Sequence, residues 1–259
     1  IIFRAYNKVQ KIEVIFLLIE ADLHTHTAAS THAYSTITEN ARAAAEIGLK
    51  AIAMTDHYNM MPDAPHVWHF QNLRVLPRTI CGVTVLKGAE VNIYNYNGDV
   101  DIDEKAISKL EWVVASYHKY MFENFEPADP KVVTDGYLKV CQNPYIDVIG
   151  HPTTDFFPFE YERAVKAFKE YDKLVEVNES SIKLKKGSAK NLVPMLEACK
   201  KYEVPIVVNT DAHFWDAVGV VPVSEKILTE LDFPKKLIIN SDWEQIKERV
   251  LKKHPQLTL

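Results

Sequence analysis

A chain of 259 residues, 47% hydrophobic and 25% charged, has enough apolar material for a sizeable core and the length of one α/β barrel. Its formal net charge of −5 argues against a general nucleic-acid or membrane-surface binder, so positive charge for an anionic ligand must be local or come from metal ions. No apolar run approaches the roughly 18 residues of a membrane span. Cys81, Cys141 and Cys199 are odd in number and far apart, which reads as reduced core thiols in a cytoplasmic protein.

Residues 1–18 carry no recognisable pattern and read as an N-terminal extension. From Ile19 a grammar repeats: a short β-branched apolar run, polar chemistry at its C-terminal end, then a helical segment. That order is the mark of βα units and a parallel sheet. The first strand is expected over 19–24, followed by a helix over 38–48 with Thr38 as its cap and Gly48 closing it. A second strand, 50–55, ends in Asp56-His57 and opens a long loop from Tyr58 to about Ile80. Further strands are expected over 84–88, 112–116, 146–150, 174–178 and 205–209. Helices at 159–171 and 189–202 fill gaps between them, and 241–253 reads as a capping helix. No linker or low-complexity stretch divides residues 19–259, which read as one domain.

The strand ends collect the chemistry. His24 and His26 stand two apart, so in a strand their side chains share a face. His32 follows on the next loop, and the later strands close on His57, Glu90, His118, His151 and Asp211-Ala212-His213. Seven of the ten histidines thus fall at or just after strand ends, where parallel barrels assemble their sites. Imidazole is the commonest transition-metal ligand, and these seven histidines with Glu90 and Asp211 make nine donors, more than one ion needs. Glu90, the carboxylate between the histidine sets, can bridge two ions. With no cysteine among the ligands, Zn, Mn and Fe all suit the donor set.

Taken together, Asp22-x-His24-x-His26, Ser30-Thr31-His32, Thr55-Asp56-His57, Gly88-Ala89-Glu90, His118, Gly150-His151-Pro152 and Thr210-Asp211-Ala212-His213 resemble the PHP (polymerase and histidinol phosphatase) family. The loop 63–70 and Asn178-Glu179-Ser180-Ser181 further resemble its stand-alone YcdX-type phosphatases. The resemblance covers about residues 19–250 and implies a distorted (βα)7 TIM-like barrel holding three divalent metal ions, zinc first, with manganese or iron as substitutes. It implies one ion on His24, His26, Glu90 and Asp211, a second on Glu90, His118 and His151, and a third on His32, His57 and His213. A bound ion can lower the pKa of water from 15.7 to roughly 7, which makes hydroxide at neutral pH and removes the need for a covalent nucleophile. The expected activity is hydrolysis of small phosphomonoesters, and the subgroup resemblance suggests a homo-oligomer such as a trimer, which no residue pattern itself shows.

Weaker signals surround this set. Arg74, Arg78, Lys183, Lys185 and His69 are candidates for holding the substrate phosphate, each weighed against a solvated surface charge. Asp56 should point away from His57, either orienting a ligand or making a structural hydrogen bond. Ser180 and Ser181 lack the surroundings of a nucleophile, and His254 reads as surface. The main competing function is a cyclic-amide or amine hydrolase, whose barrels also open with His-x-His but usually bridge two ions with a carboxylated lysine; here Glu90 occupies the bridging position, and Lys87 lies three residues earlier. A nuclease-like phosphodiesterase and a non-catalytic metal-stabilised module complete the alternatives, and the acidic balance weighs against stable nucleic-acid binding.

Overall fold

β-branched runs separated by helical segments build the expected barrel in a computed structural model, which describes residues 18–185 and 187–259. Most of the expected N-terminal extension lies outside the described residues. The first half comprises β1 (Ala21–Thr25), α1 (Ile37–Ile47), β2 (Ala51–Met54), α2 (Trp68–Asn72), β3 (Thr79–Ile80), β4 (Val83–Ile93), α3 (Glu104–Ile107) and β5 (Trp112–Tyr117). The second comprises α4 (Pro130–Val140), β6 (Val148–Ile149), α5 (Tyr161–Glu170), β7 (Leu174–Asn178), α6 (Glu179–Leu184), α7 (Ser188–Tyr202), β8 (Ile206–Asn209), α8 (Pro222–Glu230) and α9 (Trp243–Lys253). Seven strands run parallel in the order β1-β2-β4-β5-β6-β7-β8, and β3 adds an antiparallel hairpin to β4. The fold is a distorted (βα)7 TIM-like barrel in a single domain. None of the described helices is long and apolar enough to cross a membrane.

The distortion has a local cause where the first and last strands meet. They share only the bridge between Thr25 and Ala212, with the His26 amide donating to the Ala212 carbonyl at 2.8 Å. Side-chain amides stand in for the missing ladder. Asn209 accepts from the Leu23 amide at 3.0 Å, while Asn240 donates to the carbonyls of both Ala21 and Val208 and accepts from the Val208 amide. These side chains satisfy backbone groups that the missing ladder would otherwise leave unpaired, as burial demands.

The interior is layered by strand alternation. Ala21, Leu23, Ala51, Ala53, Leu86, Trp112, Val114, Val148, Leu174 and Val207 form an apolar floor inside the barrel. Helix α9 closes it from below with Trp243, Ile246 and Val250. Further along the same inward rows come Ser116, Glu176 and Asn209, two residues on, and His57 and Glu90, four residues on, all buried. In β1 a bulge between Asp22 and Thr25 shifts the phase. Leu23 thus belongs to the floor, and His24 and His26 belong to the site above it.

Several boundaries differ from expectation for identifiable reasons. Strand β4 continues to Ile93 because it changes partners, pairing with β2 over Thr84–Lys87 and with β5 over Gly88–Ile93. Glu90 therefore sits within a strand and not beyond its end. Helix α1 is capped by Thr36, since Glu39 stands three residues on and completes a capping box; Thr38 lies inside the helix. Cys81 is exposed, at φ 52° in the β3–β4 turn, while Cys141 and Cys199 are buried as expected. His254 is also buried, with its Nε2 at 2.9 Å from the Leu110 carbonyl.

Because α9 packs over the barrel floor with Ile246 fully buried, Ile246→Ala should lower stability by about 2–5 kcal/mol. Urea unfolding at constant metal concentration tests this, and a loss below about 0.5 kcal/mol would remove the helix from the core.

Candidate metal centre

Glu90 organises the mouth of the barrel. Its Oε2 faces Nε2 of His24, His57 and His26 at 3.4, 3.6 and 3.7 Å, and its Oε1 faces Nε2 of His151 and His118 at 2.9 and 3.5 Å. Asp211 adds Oδ1 at 3.0 Å from His26 Nε2 and 3.6 Å from His24 Nε2. Two further rings complete the set of donors. His213 stacks on His26 with centroids 4.4 Å apart, and His32 lies 4.4 Å from His213 and 5.2 Å from His57. All nine groups expected from the sequence therefore converge. His24, His26 and Glu90 offer atoms within 4.8 Å of one another, as do His57, Glu90 and His118, then His26, His57 and His213, and finally His32, His57 and Asp63.

Whether these groups suit metal ions can be tested on their hydrogen bonds. Among the described residues, His24 Nε2, both ring nitrogens of His26 and of His57, His213 Nε2 and Asp211 Oδ1 are buried without a hydrogen-bond partner. Orphaned polar atoms at this density are costly in a core, at about 1–3 kcal/mol each, unless a ligand satisfies them. Divalent cations fit that need, because every orphan within the cluster of nine groups is a ring nitrogen or a carboxylate oxygen. Protonation leans the same way for His57 and His118, which burial holds below the usual imidazole range, His118 at about 3, despite the opposing Glu90 charge. Burial alone would raise Glu90 and Asp211, but the histidines around them hold both well below the usual carboxylate range.

A second layer of groups aims the rings. His24 Nδ1 meets Glu176 Oε1 at 2.8 Å, His118 Nδ1 meets Asn92 Oδ1 at 2.8 Å, His32 Nδ1 meets Asp63 Oδ2 at 2.7 Å, and His213 Nδ1 meets the Asp211 carbonyl at 2.9 Å. With Nδ1 donating, each Nε2 lone pair is left to face the centre. Glu176 does more: its Oε2 accepts from the His151 amide at 2.7 Å and from Asn178 at 3.0 Å. Sequence reasoning gave Glu176, Asn92 and Asp63 no role. The signals were present in a lone glutamate within an apolar five-residue strand and in the two-residue spacing of Glu90 and Asn92. Gly150 leaves room for this packing, since a Cβ there would lie 2.1 Å from Ser116 Oγ.

The weaker candidates separate. Lys183 and Lys185 line the histidine pocket, and Lys183 is paired with Glu179 at 2.9 Å. Lys186 lies outside the described residues. Arg74 and His69 line a different cleft, between α2 and the loop after β1. Arg78 makes a two-pronged pair with Glu111 at 2.7 Å, just before β5 and so at the opposite end of the barrel from the histidines. Asp56 accepts from Thr27, Ser30 and His69, which makes it a structural anchor for the loop carrying His32.

A parallel barrel with a carboxylate-bridged histidine cluster at its C-terminal strand ends defines a metal-centred α/β-barrel protein. The PHP domain model matches residues 22–187, and the chain belongs to the PHP domain family. It is 43% identical to a probable phosphatase of Clostridium novyi over 87% of this chain and 91% of that protein. A probable phosphatase of Acetivibrio thermocellus is 39% identical over 91% of this chain and 97% of that one. The fold resembles histidinol phosphate phosphatase from Lactococcus lactis, solved with zinc, L-histidinol and phosphate, at a TM-score of 0.57 and 15% identity over 83% of this chain and 94% of that one. It also resembles a chain of an archaeal ribonuclease P with mature tRNA, at a TM-score of 0.54 and 12% identity over 91% and 94%.

Glu176→Gln keeps the size of the side chain but removes the charge behind His24, so metal affinity should fall by about 10–100-fold. Competition against a chromogenic chelator reads this directly, and an unchanged affinity would reduce Glu176 to a packing residue.

Proposed function

We propose that the chain is a metal-dependent phosphatase that hydrolyses small phosphomonoesters at a centre of three divalent ions, with residues 19–259 as the catalytic unit. That it is a hydrolase of phosphate esters follows from family membership and its near end-to-end match to probable phosphatases. The observation that carries the finer reading is the pair of Glu90 oxygens, each turned to a different group of histidines, with His32 and His213 forming a third group beside them. Asp211 and His213 lie beyond residue 187, where the family match ends, so the catalytic unit must extend through β8.

The residues divide the work. His24, His26, Glu90 and Asp211 would hold the first ion, Glu90, His118 and His151 the second, and His32, His57 and His213 the third, with Asp63 steadying His32. Ions bound there would supply an activated water and a positive clamp on the phosphoryl oxygens. Zinc suits the imidazole-rich set first, and manganese or iron are substitutes. Lys185 lines the pocket half-buried and, among the described residues, forms no ion pair, which leaves its ammonium for a phosphate oxygen. The alternative of an amide hydrolase loses support from Lys87. It alternates with Leu86, which points into the barrel, so Lys87 points outward and cannot bridge ions beside Glu90.

Elemental analysis of the purified protein, paired with phosphate release from p-nitrophenyl phosphate before and after chelation, tests the proposal. Two to three ions per chain are expected, with activity lost on chelation and restored by zinc or manganese. Full metal loading without phosphate release would return the amide hydrolase to the front, and less than one ion per chain after reconstitution would sink the metal centre itself.

A further inference from the structure

The part of the substrate that departs with the ester oxygen is addressed by the walls above the histidines. This inference rests on the phosphatase reading and extends it to substrate class. The pocket holds about 550 Å³. Tyr120, Leu184, Phe214 and Val220 line it and are 65%, 80%, 43% and 44% exposed. They come from three separate loops, after β5, at the end of α6 and after β8. Single exposed apolar residues are ordinary, but four around one polar pocket form a surface that a ligand would cover.

The polar groups of the same walls are already engaged. Lys183 is held by Glu179, and Glu179 also accepts from the Val223 amide, the Ser224 amide and the Ser224 hydroxyl. It has little capacity left for an ammonium group on a ligand. The other described carboxylates lining the pocket, Glu90 and Asp211, face the histidines. The Thr210 hydroxyl donates to Asp22. Among the described lining residues this leaves the hydroxyls of Ser180 and Tyr120 and the Lys185 ammonium. One cation suits one phosphate, and two hydroxyls on separate loops offer few partners to a polyhydroxylated alcohol.

We propose that the site selects monophosphate esters of neutral apolar alcohols, aromatic ones above all, and discriminates against esters whose alcohol part is cationic or bears several hydroxyls. Water adds to phosphorus, the bond from phosphorus to the ester oxygen breaks, and that oxygen leaves with a proton as the free alcohol, giving inorganic phosphate. The ring of an aromatic alcohol would lie between Tyr120 and Phe214, with Leu184 and Val220 covering its edge.

The test compares kcat/KM of the metal-loaded protein for 2-phenylethyl phosphate, glycerol 3-phosphate and 2-aminoethyl phosphate, all primary alkoxide esters, so that differences report chiefly on binding. The phenylethyl ester should be preferred by about tenfold or more, and Phe214→Ala and Tyr120→Ala should each shrink that ratio by about fivefold. Calorimetry with 2-phenylethylphosphonate and with inorganic phosphate gives a readout independent of turnover, the phosphonate binding the more tightly and losing that advantage in Phe214→Ala. Equal kcat/KM for the three esters, or a preference that both variants retain in full, overturns the proposal while leaving the phosphatase reading intact. If no ester is hydrolysed by protein shown to carry its ions, the phosphatase reading fails and this inference fails with it.

Discussion

Glu90 carries a carboxylate into a barrel interior where it is 1% exposed. Taking such a charge out of water is expensive unless it is paired and hydrogen-bonded, and nearly every feature of the upper barrel answers that demand. Five histidines place a ring nitrogen within 3.7 Å of it. Those rings would in turn be unsatisfied without acceptors of their own, so Glu176, Asn92, Asp63 and the Asp211 carbonyl stand behind four of the site's rings. The arrangement concentrates negative charge and free nitrogen lone pairs in one buried volume, which is a poor way to stabilise a fold and a good way to bind cations.

Strand alternation explains how much of this was legible. His57, Glu90 and His118 announce themselves because each extends an inward row whose earlier members are apolar: Ala51 and Ala53, Leu86, Trp112 and Val114. The pairing of His24 with His26 was legible for the same reason, although the bulge that sets their phase leaves no trace in the sequence. Arg78 illustrates what was hidden. Nothing local distinguishes it from Arg74, and only the β3–β4 hairpin, which pairs Thr79 with Thr84, shows that it lies at the closed end beside Glu111. His254 was hidden likewise, because its partner is a carbonyl 144 residues away in the chain. Glu176 was the readable miss: a charge in a strand buried throughout needs a partner, and its inward phase, shared with Leu174, points it at the histidines.

The site is uneven in depth. His24 and His26 are fully buried, whereas the His32 side chain is 52% exposed and depends on Asp63, which sits on the loop after β2. The Asp63 carbonyl also accepts from the Thr31 amide, so one residue fixes both the backbone and the ring at the outermost position. That position belongs to loops, while the inner ones belong to strands, and a position built on loops is set by fewer constraints.

Two inner residues show what those constraints cost. His151 and Asp211 adopt positive φ, at 26° and 55°, a region that side-chain-bearing residues seldom occupy. Strain of this kind persists where the surroundings over-determine it. The His151 amide is tied to Glu176. Next to Asp211, both the amide and the hydroxyl of Thr210 are tied to Asp22, which also accepts from the Gly219 amide. Asp22, and Glu176 in addition to orienting His24, are thus buried carboxylates that hold backbone geometry. They turn the chain sharply at the ends of β6 and β8, so that residues immediately after a strand point back over the barrel instead of out along its axis. Without those turns the donors of the last strands would diverge, and Glu90 Oε1 would lose its nearest histidine, His151.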